Sequence, residues 1–282
     1  MQTQVLIIGA GPAGLGCAIW LKRLGVEIVV LEAAALPGGL QTLSPYENLW
    51  IPGVRGRTGQ DFARDMADHA RALEIDCRLD CPVFDASPAW RVTTPQGDMA
   101  APFVVLATGT RPRAGGFTSS PVVAIGPGSE MEAIEVKGRR VAILGGGDNA
   151  FDQARFARDR GARVTLFTRH RPVAQSLVQA QVPDIRIMIG PYAAHQAAMT
   201  VNDEAFDVFG VMYGFEAVVP PGFAPPMDGG YVAVDRFGET GLDGVFACGE
   251  VTDYWHACVP TAVAHGVQVA WRIAQRLRAP ND

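Results

Sequence analysis

The feature that most constrains this chain is a unit that occurs twice in its 282 residues: a short apolar run, a glycine-rich turn, then a helical pattern. In the first copy Val5-Leu6-Ile7-Ile8 precedes Gly9-Ala10-Gly11-Pro12-Ala13-Gly14. In the second, Val141-Ala142-Ile143-Leu144 precedes Gly145-Gly146-Gly147-Asp148-Asn149-Ala150. Apolar runs this short, bounded by glycine, read as buried strands. The glycines let the backbone turn tightly and come close to a pyrophosphate at the N-terminus of the following helix. One such turn alone is a weak signal. Two, each in its own strand–turn–helix, predict two nucleotide cofactors and electron transfer between them.

Composition agrees with two α/β domains: 48% of residues are hydrophobic, 19% are charged, and 32 are glycine. The net charge is −5 with no long basic run, so nucleic-acid binding has no electrostatic footprint. No apolar stretch approaches the ~18 residues of a membrane span. Val5 to Gly16 is as apolar as a signal core, but no basic segment precedes it and its glycines match the fingerprint. Cys17, Cys77, Cys81, Cys248 and Cys258 form no C-x-x-C and no zinc spacing, and His69, His170, His195 and His265 make no metal constellation. The expectation is a soluble, cytoplasmic protein with no metal, nucleic-acid or membrane partner.

The first unit favours FAD. Leu15 to Leu24 has helical periodicity, Gly25 ends it, and Val26 to Leu31 forms a second strand. Glu32 stands at that strand's end, 18 residues beyond Gly14, where a carboxylate accepts both ribose hydroxyls. Pro37-Gly38-Gly39 follows, its paired glycines open to a phosphate or ribityl chain. Near the C-terminus Gly241 to Glu250 reads as a short buried strand ending in a glycine–acid pair. A helix from about Pro260 to Leu277 follows, with proline in its first turn. A helix start aimed at the flavin pyrimidine edge favours reduced, anionic flavin.

On these residues the chain resembles the thioredoxin-reductase-like branch of the two-dinucleotide flavoproteins over nearly its whole length. The matching residues are Gly9-x-Gly11-x-x-Gly14, Glu32, Gly38-Gly39, Asn48-x-x-x-Pro52-Gly53, Ala107-Thr108-Gly109, Gly145-x-Gly147-x-x-Ala150, and Gly249-Glu250 through Thr261-Ala262-x-x-x-Gly266. The resemblance implies an α/β fold of two Rossmann-like three-layer dinucleotide-binding domains, with the NAD(P) domain inserted into a split FAD domain. The expected divisions are an FAD-binding part over 1–112, a shortened NAD(P)-binding domain over 113–234, and the rest of the FAD domain over 235–282. Linkers at Arg111–Gly116 and Pro220–Gly230 would act as a swivel. The FAD ligands it implies are Gly9, Gly11, Pro12, Ala13, Gly14, Glu32, Gly38, Gly39, Asn48, Ala107, Thr108, Gly109, Gly249, Glu250, Thr261 and Ala262, and it implies a homodimer. The chain departs from the family's pattern twice. Glu250 replaces the usual Asp, and Cys258 replaces a Gln near the flavin pyrimidine edge.

The second unit favours NADPH. Gly145, Gly147, Asp148, Asn149 and Ala150 form its turn, and the next strand, Val164 to Phe167, ends in Thr168-Arg169-His170-Arg171 rather than an acid. Arginine forks a 2′-phosphate that a carboxylate would repel, so Arg169 is the first candidate ligand, with His170 or Arg171 assisting. A solvated basic loop is the alternative. Between Pro172 and Asp207 there is room for one strand, Ile185–Ile189, and a hairpin of Ala198–Val201 with Ala205–Phe209 turning at Asn202-Asp203. That falls short of the three-stranded meander the resemblance implies.

Neither disulfide relay of the wider family is present. The stretch matching the thioredoxin-reductase C-x-x-C reads Gly128-Ser129-Glu130-Met131, and the segment after the paired glycines reads Leu40-Gln41-Thr42-Leu43-Ser44. Cys77 and Cys81, on an expected strand over Ile75–Val83, would stand ~13 Å apart. Cys258 and His256 are candidate catalytic groups beside the flavin, while Tyr46 and Trp50 either cover it or staple their loop. The function expected is an FAD-dependent oxidoreductase passing electrons from NAD(P)H through flavin to a small-molecule or protein acceptor, without a C-x-x-C disulfide. Ferredoxin–NADP reductases of the thioredoxin-reductase type are the nearest precedent, and Arg55, Arg57 and Arg64 would supply a basic patch for an acidic ferredoxin. The alternatives are a flavin-dependent oxidase or ferredoxin-driven reductase not using NAD(P)H, and a non-catalytic flavin-binding module.

Overall fold

The computed structural model describes residues 1–278 and separates two compact units, Met1–Arg111 with the chain from Glu216 onward, and Pro112–Phe215. The principal elements are β1 (Val5–Ile8), α1 (Pro12–Arg23), β2 (Ile28–Leu31), α2 (Gly59–Ala72), β3 (Asp76–Arg78) and β4 (Phe103–Leu106). Then come β5 (Val123–Ile125), α3 (Ser129–Ala133), β6 (Arg140–Leu144), α4 (Asp148–Asp159), β7 (Arg163–Thr168), α5 (Ser176–Gln179), β8 (Arg186–Ile189) and β9 (Val208–Val211). The chain closes with β10 (Val245–Ala247) and α6 (Val259–Arg278).

Each unit is built on a five-stranded sheet in which every pair is parallel: β10-β4-β1-β2-β3 in the first and β8-β7-β6-β9-β5 in the second. Parallel strands need crossovers and are covered on both faces, so their central strands are continuously apolar. Val5–Ile8, Ile28–Leu31 and Val208–Val211 are buried at every position. In the first unit α1 and α6 cover one face, with Leu15, Ile19, Val269 and Ile273 packed against Val5, Ile7 and Val30. The other face carries the antiparallel sheet Asp85–Ser87, Arg91–Thr93 and Met99–Ala100, whose Val92 and Met99 are buried with Leu6 and Val104. In the second unit α4 covers one face through Phe151, Ala154 and Ala157, and a small antiparallel meander lies over the other.

Several sequence-based boundaries are corrected. The chain re-enters the first unit at Glu216 rather than 235, because the proline-rich stretch is packed. Phe223 is buried with Val92 and Val232 and stacks on Trp90 at 5.5 Å between ring centroids. Pro220–Gly230 is therefore no linker. The strand expected over Ile75–Val83 stops at Arg78: Asp80 takes a positive φ of 49°, and the Cys81 amide turns to donate to the Glu32 carbonyl at 2.8 Å. In the second unit a complete three-stranded meander is present in miniature, Ala194–His195, Thr200–Val201 and Glu204–Ala205. Its turn is at Asn202-Asp203, both at positive φ. Val208 and Phe209, read from sequence as the end of the hairpin arm Ala205–Phe209, instead open β9 (Val208–Val211), a parallel strand beside β6. Residues 208–211 are buried on both faces, so two-residue alternation could not identify them.

Candidate functional site

In the first sheet the chain moves from β1 through β2 to β3, and later fills the opposite side with β4 and β10. The order therefore reverses at β1, and the carboxyl ends of β1 and β4 open the crevice where such sheets take ligands. Gly9 lies in that crevice. Its amide donates to Leu31 O at 2.7 Å, and the amide of Ala107, just past β4, donates to Ile8 O at 2.8 Å. With φ at +105°, a Cβ on Gly9 would lie 2.4 Å from Ala107 O. The second unit repeats the arrangement. The Gly145 amide donates to Phe167 O at 2.9 Å, Met212 donates to Leu144 O at 2.7 Å, and a Cβ on Gly145 would lie 2.3 Å from Met212 O. The two turns share one hydrogen-bonding plan at the switch points of two separate sheets.

Beyond each turn a helix begins without a side-chain cap. Gly11 and Gly147 are the N-cap residues of α1 and α4, and both are extended. A Cβ on Gly147 would meet nothing within 4 Å, and one on Gly11 would meet only Gly39 Cα at 3.8 Å. Amide donors left uncapped beside open space are what a pyrophosphate requires. Both cradles fit a dinucleotide on this ground. Pro12, at the first helical position, contributes no donor, so Ala13 and Gly14 supply the amides of α1. Gly14 has no room for a side chain: its Cβ would fall 1.9 Å from Gly9 O. At the matching position of the second unit Ala150 is accepted, buried to 1%.

The units differ at the end of the second strand. Glu32 is 9% exposed, and each carboxylate oxygen is held by an amide: Ala10 N donates to Oε2 at 2.7 Å and Ala34 N to Oε1 at 2.9 Å. Its carboxylate thus braces the Gly9–Gly14 turn and keeps one lone pair per oxygen for further donors. The second unit has Thr168 there, whose hydroxyl donates to His170 O at 2.9 Å; a Cβ on Gly146 would lie 2.4 Å from that hydroxyl oxygen. Arg169, His170 and Arg171 are exposed. The Arg169 guanidinium lies 5.7 and 6.0 Å from the ring centroids of Tyr192 and Tyr213, whose hydroxyls are 3.3 Å apart. Asp148 is occupied, accepting from the Gln175 amide at 2.7 Å and its side chain at 3.1 Å. Asn149 is exposed.

Around the first cradle the remaining expected residues gather unevenly. The Gly38 amide donates to Ala10 O at 2.7 Å, which draws Gly38 and Gly39 against the fingerprint. Asn48 is used inside its own loop: its side chain donates to Gln41 Oε1 at 3.3 Å and accepts from the Trp50 amide at 3.2 Å. Thr108 donates its hydroxyl to Val218 O, and Gly109 follows at φ +63°. Gly249 meets α1 closely, since its Cβ would lie 2.6 Å from that of Ala13 and 4.0 Å from that of Ala262. Glu250 accepts from the Thr110 hydroxyl at 3.3 Å; burial raises its pKa above the ordinary carboxylate value, and that hydrogen bond opposes the rise. Thr261 turns its hydroxyl back to His256 O at 2.6 Å and Cys258 O at 2.9 Å, with Cys258 Sγ 3.2 Å away. Cys258 and the His256 carbonyl are thereby bound into the first turn of α6.

Two contributors were missed from sequence. Thr110 is one. The other is His265, 2% exposed, whose Nδ1 accepts the Gly249 amide at 3.3 Å and whose Nε2 has no partner. Burial pushes its pKa down to about 4, so it is neutral and free to accept. Its position three residues after Ala262, on the buried face of α6, was the available signal.

The five cysteines are free. Burial pushes Cys77 up to about 11 and Cys248 up to about 12, away from thiolate chemistry. Where the thioredoxin-reductase C-x-x-C would align, Glu130 accepts the Ile125 amide at 2.7 Å and Met131 is fully buried. The expected basic patch is largely neutralised, as Arg57 pairs with Asp65 and Arg64 with Asp61. Among the described residues no group of His, Cys, Asp and Glu is placed to hold a metal, and no helix is long and apolar enough to cross a membrane.

Residues 3–185 match the pyridine nucleotide-disulphide oxidoreductase family. The chain is 26% identical to a thioredoxin reductase of Mycolicibacterium smegmatis, over 93% of each sequence. It is 27% identical to a ferredoxin–NADP reductase of Salinispora arenicola, over 90% of this chain and 87% of that one. Its fold superposes on the crystal structure of T. acidophilum thioredoxin reductase with a TM-score of 0.85, at 21% identity and 99% coverage of both chains.

Proposed function

The chain belongs to the pyridine nucleotide-disulphide oxidoreductase family and is an FAD-dependent oxidoreductase of the thioredoxin-reductase type; from that premise we propose that it draws electrons from NADPH and hands them to an acceptor without a protein disulfide. The observation that carries this reading is the duplicated cradle, two uncapped helix starts at two switch points with one bonding plan. FAD bound at Gly9–Gly14 supplies the two-electron chemistry, and NADPH bound at Gly145–Ala150 is its reductant. The chain's own residues bind and orient. Ala13 and Gly14 offer amides to the flavin pyrophosphate, Glu32 offers acceptors to its ribose, and Gly249 and Glu250 close the ribityl side. Arg169, with His170 or Arg171 beside it, takes the 2′-phosphate. Asn48 and Thr261 act on the cofactor through the loops they hold.

The absence of C-x-x-C supports direct delivery to the acceptor, a small molecule or a protein, and the family resemblance supports a homodimer. The test is anaerobic mixing of the flavin-loaded protein with NADPH or NADH while the oxidised flavin absorbance is followed. Rapid bleaching by NADPH, slower with NADH, is expected. Indifference to both nucleotides refutes the reading and favours an oxidase or ferredoxin-driven enzyme; a flavin that no nucleotide, thiol or mediator reduces favours a non-catalytic module.

A further inference from the structure

A cavity of about 380 Å³ among the described residues lies outside both cradles. It sits in the second unit at the amino-terminal ends of β6, β7 and β8, whereas the Gly145 turn leaves the carboxyl end of β6. Arg140 and Gly145 are five residues apart on that strand, roughly 16 Å. Four arginines line the cavity: Arg140, Arg163 and Arg186 from the three strands, and Arg158 from the last turn of α4.

Their placement is costly for the protein alone. Arg140 and Arg163 are direct partners in the β6–β7 register, and Arg186 pairs with Thr165 two residues on, so the three arginines share one face. Like charges at paired positions repel. The nearby carboxylates relieve three of the four. Glu204 bridges Arg140 and Arg186, and Arg158 pairs with Asp184 at 2.8 Å and Asp159 at 2.7 Å. Arg163 has no carboxylate partner among the described residues and reaches only Gly138 O, at 3.1 Å. Arg163 therefore faces, without a carboxylate partner of its own, a cavity whose other walls include Asp184, already held by Arg158, and the apolar Ala162, Val164 and Ile185.

We propose that this cavity is a binding site for a small organic phosphate monoester, separate from both nucleotide cradles. Guanidinium groups fork phosphate oxygens in a way that lysine cannot, so Arg163 takes the phosphate while the organic part covers the apolar wall. The volume falls in the range of small-ligand sites. The inference does not depend on which nucleotide reduces the enzyme.

The experiment is calorimetric titration of the flavin-loaded full chain with phenyl phosphate, with and without saturating NAD+, which carries no phosphate monoester and does not reduce the flavin, and with benzoate as a carboxylate control. Saturable binding that NAD+ does not compete away, and that benzoate matches only weakly, is expected. Arg163→Gln should weaken it about tenfold or more, the loss of one charge-assisted contact, with flavin content and NADPH-dependent bleaching unchanged. Arg163→Lys, which keeps the charge and loses the fork, should fall between and serves if the Gln variant does not fold. The proposal is overturned by no saturable binding up to about 10 mM, by displacement with NAD+, by equal affinity for benzoate, or by an Arg163→Gln variant that binds as the parent does.

Discussion

Replacing Gly11 with alanine separates the cradle's role in cofactor binding from its role in the fold. The position is extended, φ −73°, so alanine adopts it without strain, and the new Cβ meets only Gly39 Cα at 3.8 Å. Alanine is a poorer N-cap than glycine by about 1 kcal/mol, and the stiffer unfolded chain returns about half of that or more. The apoprotein should therefore melt within about 3 °C of the parent. Gly14→Ala is the contrast. Its Cβ would lie 1.9 Å from Gly9 O, a backbone atom that cannot swing away. Either the turn or α1 must shift, at a cost of about 3 kcal/mol or more. Flavin uptake should respond differently in the two variants: in Gly11→Ala the methyl group occupies space the pyrophosphate needs, so affinity should fall at least about tenfold in a protein that folds normally. Apoprotein thermal melts and reconstitution titrations by flavin fluorescence quenching measure both quantities. If Gly11→Ala takes up FAD as the parent does, or destabilises the apoprotein as much as Gly14→Ala, the open space beside Gly11 is not a phosphate site.

Three further outcomes are expected. Gly147→Ala, with nothing within 4 Å of its Cβ, should raise the KM for NADPH while leaving flavin content and melting temperature unchanged. Glu32→Gln leaves one carbonyl oxygen for two amide donors, so one of Ala10 N and Ala34 N loses its partner; urea midpoints should report a loss of about 1–3 kcal/mol. His265 has a folded pKa of about 4, below the ordinary 6.5, so the unfolded chain takes up the proton first. Its contribution is complete above about pH 6.5 and declines as pH falls toward 4, by up to about 3 kcal/mol. His265→Phe should flatten that part of the stability profile, and an unchanged acid limb would show that His265 is not its source.

The sequence by itself determined the two strand–turn–helix units, because their chemistry is local: an apolar run too short for a helix, glycines where a side chain cannot fit, a helical period beyond. It also determined Glu32 as a candidate, since its distance from Gly14 is a property of the unit. Only the tertiary structure decided what depends on distant partners. Val208–Val211 is buried on both faces, so its pattern names no periodicity, and its place beside β6 comes from the sheet. The proline-rich stretch looked like a linker until Phe223 found Trp90, more than a hundred residues earlier in the chain. His265 reads as any helical histidine until the Gly249 amide is brought to its Nδ1. The four arginines of the cavity come from three strands and a helix; β-sheet register places Arg140, Arg163 and Arg186 on one face, and the packing of α4 brings Arg158 to them.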